Sequence, residues 1–193
     1  LTDYRADQQH GKGHEVSQRQ RERRAWPVVN VEFGYEHGSG GVTDKTYNVV
    51  QPPEEVLRRA WEIAMAGGYL AYYYTYTAWD VIRPLDIPPG YAYFKHFGDF
   101  WRAAEYWKLE PSDQLVNIGW CLAQPGREYV VFQNQPQPFT LNIADAKSPL
   151  QAEWFNPRTG QRSDAGSFSN GTASLTPPTD WGNVPLVLHL KAP

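Results

Sequence analysis

The feature that most constrains the fold is a helical pattern at residues 52–68, PPEEVLRRAWEIAMAGG, with a strand pattern on each side. Prolines and acids open the segment and two glycines close it, as is typical of an α-helix. The apolar stripe of this helix consists of Val56, Ala60, Ile63 and Ala64. The strand patterns are the β-branched residues 27–33, PVVNVEF, and the aromatic residues 69–79, YLAYYYTYTAW.

Two more helical patterns extend this alternation. Residues 15–25 are polar helix formers and predict a surface helix, and residues 91–107 predict an amphipathic helix. The polar residues 1–14 are interpreted as a loop. The order helix, strand, helix, strand, helix indicates a parallel α/β architecture. Since two strands cannot close a sheet and a (β/α)8 barrel takes about 250 residues, we expect either the tail of a larger barrel or a sheet completed by another chain.

Beyond residue 110 the pattern changes to short strands separated by turns rich in Gly, Pro and Asn. This change predicts two domains. Residues 1–110 would be the C-terminal part of a (β/α)8 (TIM) barrel, with its last two strands and flanking helices. Residues 111–193 would form a small antiparallel β-sandwich. The chain begins with Leu, which favours a processed or truncated product of a longer barrel protein.

Composition excludes several classes of function. The net charge of −3 without a basic stripe argues against nucleic-acid binding. No apolar run reaches the ~18 residues of a membrane span, and no signal peptide is visible. The single cysteine, Cys121, is predicted to be a buried structural thiol. His10 and His14 have a spacing that a metal could use, but without a third ligand we expect solvated histidines and no metal.

Candidate catalytic residues follow the two predicted strands, because the carboxyl ends of parallel strands gather functional groups. The first strand ends at Glu32, with Tyr35 and Glu36 just after it, and the second ends at Trp79 and Asp80. Carboxylates with aromatics at one rim suit glycoside hydrolysis. Taken singly, each residue has a simpler interpretation that its own segment favours: Glu32 as an acid bonded to backbone or arginine, Trp79 as a core residue, and Asp80 as a turn residue.

Several segments together resemble the apiosidase-like (β/α)8-barrel glycoside hydrolases and the small β-sandwich that follows the barrel in that family, which is labelled a collagen-binding domain. The barrel-like segments are PVVNVEFGYE, PPEEVLRRAWEIAMAGGYLAYYYTYTAWDVI and PPGYAYFKHFGDFW. The sandwich-like segments are LVNIGWCLAQPGREYVVF, AEWFNPRTG and LVLHLK. The resemblance covers nearly the whole chain, in order and with similar spacing.

The resemblance implies a retaining mechanism in which Glu32, at the end of the seventh barrel strand, is the nucleophile. Both neighbours of this residue differ from the Gly-Glu-Pro core common in the family, while the following Tyr-Glu pair remains as Tyr35 and Glu36. Trp79 matches the tryptophan that floors the sugar subsite, and Asp80 would contact substrate with Tyr35 and Glu36. The general acid belongs to an earlier strand, to which no residue of this chain corresponds.

The partners that follow are an oligo- or polysaccharide substrate and the missing N-terminal barrel segment or a second chain. No cofactor, nucleic acid or membrane partner is expected. Family resemblance favours a secreted or periplasmic protein. Two alternatives stay open. One is a binding module that recognises polysaccharide or collagen through residues 111–193, and the other is an interaction protein that completes its sheet with a partner chain.

Overall fold

The computed structural model describes residues 3–36, 50–74 and 87–193. The chain divides into two compact units, residues 1–95 and residues 96–193. The first unit combines helices with parallel strands, and the second is built mainly from antiparallel strands. No helix in the described ranges has the length and apolar character needed to cross a membrane.

The N-terminal unit contains short strands that pair in parallel. The strands are β1 (Arg5–Asp7), β2 (Val28–Asn30), β3 (Tyr35–Glu36), β4 (Val50–Gln51), β5 (Tyr69–Leu70) and β6 (Tyr73–Tyr74). They form two three-stranded sheets in the orders β1-β2-β5 and β4-β3-β6. The helices are α1 (Gly13–Arg23), α2 (Pro53–Met65) and α3 (Tyr91–Ala103), of which α3 crosses the division between the units.

Helix α2 confirms the strongest sequence prediction. It begins at Pro53 with two acids in its first turn, and its predicted apolar stripe is fully buried. Helix α1 packs closely against α2 at Gly13, where a Cβ atom would lie only 2.9 Å from Ile63 Cγ1. Arg21 of α1 also donates a hydrogen bond to the carbonyl of Gly67, just beyond α2, at 2.8 Å.

The prediction of a loop over residues 1–14 was wrong, and so was the count of two strands. Strand β1 pairs in parallel with β2, in a register that runs from Arg5 opposite Val28 to Asp7 opposite Asn30. Its sequence, Arg-Ala-Asp, lacks the β-branched and aromatic residues that mark strands, so the strand depends on the hydrogen-bonding edge of its neighbour. His14, expected in solvent, is buried in the first turn of α1 because that helix packs inward there.

The C-terminal unit has two antiparallel sheets. Its strands are β7 (Glu110–Pro111), β8 (Trp120–Gln124), β9 (Glu128–Gln133), β10 (Phe139–Asn142), β11 (Leu150–Phe155), β12 (Arg162–Phe168), β13 (Thr172–Leu175) and β14 (Leu186–Lys191). The larger sheet has the order β12-β11-β14-β9-β8-β7, and β10 pairs with β13. Both sheets contribute to one core, in which Val131, Leu188 and Trp154 of the larger sheet join Leu141 and Leu175 of the smaller.

The other face of the larger sheet packs against the end of α3. The ring of Phe100 lies 4.9 Å from that of Phe155 and 5.5 Å from that of His189, measured between centroids. Cys121, on the core side, is fully buried, which confirms its prediction as a structural thiol. Burial raises the pKa of this thiol far above its ordinary value, and Asp113 adds to the effect.

Candidate functional site

Glu32 follows the end of β2, at the edge where the parallel strands β1 and β2 both terminate. Its side chain is 26% exposed. Gln8 Nε2 donates a hydrogen bond to Glu32 Oε2 at 3.0 Å, and Gln8 itself directly follows β1. The carboxylate is therefore accessible to a ligand, while one of its oxygens is held by a neutral donor from the adjacent strand end.

His10 approaches the other oxygen of the same carboxylate. Its Nε2 lies 3.8 Å from Glu32 Oε1, and within the described ranges this buried nitrogen has no hydrogen-bond partner. At 3.8 Å the two groups attract electrostatically when the imidazole is protonated. His10 thus flanks this side of the Glu32 carboxylate.

The buried side chain of Asn30 fixes the two strand ends relative to each other. Its Nδ2 donates to the carbonyl of Gln9 at 2.8 Å, and its Oδ1 accepts a hydrogen bond from the backbone N–H of Glu32 at 3.0 Å. One amide therefore ties the segment that carries Gln8 and His10 to the segment that carries Glu32. The arrangement supports a preformed site rather than two independent loops.

Sequence reasoning missed Gln8 and His10 as members of this site. Residues 1–14 were interpreted as a loop, and His10 was compared only with His14 as a metal pair. The signal that could have found them is the parallel partner β1, since a residue after one strand end lies beside a residue after the neighbouring end. The described residues contain no group of three or more His, Cys, Asp or Glu side chains that could hold a metal ion.

Glu36 lies on β3 with its side chain completely buried. Tyr72 donates its hydroxyl to Glu36 Oε2 at 2.7 Å, and the backbone N–H of Gly90 donates to Glu36 Oε1. The Tyr72 ring stacks on Phe94 of α3 at 4.0 Å. Glu36 therefore links β3 to the start of α3, where a carboxylate also complements the helix dipole.

Gly90 is needed for this link. A Cβ atom at this position would overlap Glu36 Oε2 and come within 2.8 Å of Pro53 Cβ. Tyr35, the neighbour of Glu36 on β3, is half-buried, and its ring lies 5.8 Å from the ring of Tyr73 on the paired strand β6. The Tyr35 ring and the Glu36 carboxylate are therefore held in fixed positions on β3.

Trp79 and Asp80, the two candidates from the end of the second predicted strand, lie outside the described residues. Of the predicted site residues, Glu32, Tyr35 and Glu36 lie within the described ranges. The structure places Glu32 with Gln8 and His10, and it gives Glu36 a separate set of partners, Tyr72 and Gly90.

Comparison with known proteins addresses both units. Residues 114–189 match the family model described as "Putative collagen-binding domain of a collagenase". A search of curated proteins found no match.

Solved structures resemble nearly the whole chain. A protein titled "Glycoside hydrolase" matches with a TM-score of 0.74 at 18% identity, over 93% of this chain and 46% of the other. A glycoside hydrolase family 5 protein from Bacteroides vulgatus matches with a TM-score of 0.75 at 14% identity, over 98% of this chain and 50% of the other. The chain thus spans about half the length of these structures and shares their fold over that part.

Proposed function

We propose that the chain is the C-terminal portion of a retaining, apiosidase-like glycoside hydrolase with a (β/α)8 barrel and an appended β-sandwich. In this proposal Glu32 is the nucleophile. The observation that carries it is the position of an accessible, oriented carboxylate at the carboxyl edge of parallel strands, in a fold shared with glycoside hydrolases. The half-length coverage of those structures supports an earlier barrel segment that supplies the remaining strands.

The proposed mechanism uses two carboxyl groups. Glu32 attacks the anomeric carbon and forms a glycosyl-enzyme intermediate, while a carboxylic acid on the earlier segment protonates the leaving oxygen. Water then releases the sugar, with the second group acting as base. Gln8 holds one oxygen of Glu32 in place for the attack, and His10 flanks the other oxygen.

The other predicted site residues have supporting roles in this proposal. Trp79 would be the platform on which a sugar ring stacks, and Asp80 would contact a hydroxyl of the substrate. Tyr35 would help to bind substrate at the same edge, whereas the completely buried carboxylate of Glu36 is not exposed to substrate. The contacts of Glu36 with Tyr72 and Gly90 favour a positioning role, in which this carboxylate fixes the strand end beside the start of α3.

The test uses a protein that contains both the earlier barrel segment and this chain. Glu32→Gln should abolish turnover of glycan substrates while the melting temperature stays near that of the wild type. Glu22→Gln, on the exposed surface of α1, is the matched control and should leave turnover unchanged. Azide should rescue Glu32→Ala and give a glycosyl azide, because a small anion can replace a missing nucleophile. Near-normal turnover by Glu32→Gln would refute the assignment.

The edge of β1 supports the proposed earlier segment. Among the described residues β1 pairs only with β2, so its other edge can accept a further strand. That strand would come from the earlier barrel segment or from a second chain. Co-expression of the earlier segment with this chain should give a stable one-to-one complex. A chain that stays monomeric and equally stable in the presence of that segment would contradict this pairing.

A second candidate function is polymer binding by the C-terminal unit. The match of residues 114–189 to a collagen-binding family favours it. Retention of the chain on an insoluble polysaccharide or on collagen would support this function. Passage through both without retention would contradict this function.

A further inference from the structure

The C-terminal unit contains a cavity of about 340 Å³ that lies far along the sequence from Glu32. It is formed where β8 begins and β9 ends, at the open end of the β8–β9 pair. Residues 118–120, at the start of β8, line one side, and the end of β9 with the following turn supplies residues 132–135 and 137. The cavity volume falls within the range of ordinary ligand sites.

An aromatic wall borders this cavity. The half-buried ring of Trp120 stacks on the fully buried ring of Phe132, with centroids 5.9 Å apart and planes 8° from parallel. The residue before Trp120 is Gly119, with φ of +96°, and a Cβ there would lie 2.6 Å from the Phe132 carbonyl oxygen. The tight turn at Gly119 therefore brings the backbone before Trp120 against the end of β9, a close approach that any other residue would disturb.

Side-chain amides form the rest of the wall. Gln133 is buried, and its Oε1 accepts a hydrogen bond from the backbone N–H of Gln137 at 3.0 Å, so it fixes the local framework. The side chains of Asn134, Gln135 and Gln137 are exposed at the cavity. Within the described ranges, Asn134 and Gln135 make no side-chain hydrogen bonds. Each amide offers two donors and one acceptor oxygen, and none of the lining residues carries a charge.

We propose that this cavity is a binding subsite for a neutral polysaccharide chain. Sugar rings have an apolar face that packs on an aromatic ring, and their hydroxyls both donate and accept hydrogen bonds, as amides do. Acidic polysaccharides are disfavoured because no basic side chain lines the cavity. Proline-rich polyproline II chains dock in grooves lined by several aromatic rings, whereas this cavity combines one half-buried tryptophan with four amides.

The proposal deepens the second candidate function, polymer binding by the C-terminal unit, and rests on it. The test is affinity electrophoresis of the full chain through gels that contain mixed-linkage β-glucan, glucomannan, arabinan or galactan. Polygalacturonate and gelatin serve as the acidic and collagen-derived comparisons. We expect at least one neutral polysaccharide to retard the wild-type chain. Trp120→Ala should weaken that binding roughly tenfold or more, as truncation of a central tryptophan does in other interfaces.

Two further variants keep the test independent of folding defects. The double variant N134A/Q135A changes only exposed side chains and should also weaken binding. Trp107→Ala is the matched control, because Trp107 is 67% exposed and does not line the cavity. It should bind like the wild type.

The possible outcomes distinguish the cavity assignment from the broader proposal that the C-terminal unit binds a polymer. If the wild type binds a neutral polysaccharide and both cavity variants bind equally well, the cavity assignment is overturned while polymer binding stands. Binding to gelatin alone would overturn the carbohydrate assignment in favour of collagen. Binding only to polygalacturonate would also overturn it, and retardation by no polymer would overturn both the subsite and the second candidate function.

Discussion

The buried pair Glu128 and His189 allows a quantitative test of how the C-terminal unit is stabilised. His189 Nε2 lies 2.7 Å from Glu128 Oε1, and the residues are 7% and 2% exposed. Lys191 Nζ is 3.6 Å from the same oxygen, and His189 Nδ1 is 3.6 Å from Glu153 Oε1. The cross-strand register of β14 with β9 and β11 brings these side chains together. Removal of His189 would therefore leave Glu128 buried with only the more distant Lys191.

His189→Leu should lower the free energy of unfolding by about 3 kcal/mol, which is the usual cost of leaving one member of a buried pair without its partner. For a unit of this size that corresponds to a melting temperature lower by roughly 12–24 °C. Glu128→Leu should cost a similar amount. The double variant E128L/H189L should lose only about 1 kcal/mol or less, because an apolar pair of similar volume needs no charge compensation.

The assay is urea unfolding of the wild type, both single variants and the double variant, supported by calorimetry of the same four proteins. Asp99→Asn is the matched control, since its ion pair with Arg102 is exposed and should matter little. If the two single losses simply add in the double variant, the side chains are not energetically coupled. That result would refute the reasoning.

Two other predictions follow from the contacts described above. Burial opposes protonation of His189, but the hydrogen bond with Glu128 and the nearby carboxylate of Glu153 outweigh it and raise the pKa of His189 above the ordinary value of 6.5. This stabilisation is complete below pH 6.5 and is lost as pH rises through the raised pKa. The nearby imidazole of His189 lowers the pKa of Glu153 from 4.5, so the contribution of this carboxylate is present above pH 4.5 and is lost as pH falls through the lowered pKa. Melting temperatures should therefore be highest between pH 4.5 and 6.5 and should fall at lower and at higher pH. His189→Leu should reduce the fall of the melting temperature at higher pH. An unchanged fall in that variant would contradict the assignment. Gly90→Ala should destabilise the N-terminal unit by about 1–3 kcal/mol, because the added methyl group would overlap Glu36. Urea unfolding would measure this loss, and wild-type stability in that variant would count against the packing described.

The sequence predicts elements well where periodicity and burial agree. Helix α2 carries a clear apolar stripe, and β9 and β14 are continuous apolar runs that lie in the middle of the larger sheet. Strands β12 and β13 are not marked by their own sequences, which are polar, small and glycine-containing or short. Such strands depend on pairing with neighbours distant in sequence, and local propensity does not report that pairing.

The same distinction applies to the candidate site. The position of Glu32 at a strand end could be predicted from its own segment, whereas Gln8 and His10 join it only through the parallel pairing of β1 with β2. The segment around His189 is an ordinary apolar strand in the sequence, and the charge network of this histidine arises from the register with two other strands. In both places, the missing information was the identity of the neighbouring strand.

The central claim, that Glu32 is the nucleophile of a retaining glycoside hydrolase, is tested most directly by trapping the glycosyl-enzyme intermediate. A protein that contains both barrel segments is incubated with a 2-deoxy-2-fluoro glycoside of the sugar that it releases, digested, and analysed by mass spectrometry. The account predicts one glycosyl group on the peptide that contains Glu32, attached to that carboxylate. A label on a different carboxylate, or hydrolysis that inverts the anomeric configuration without any label, would contradict it.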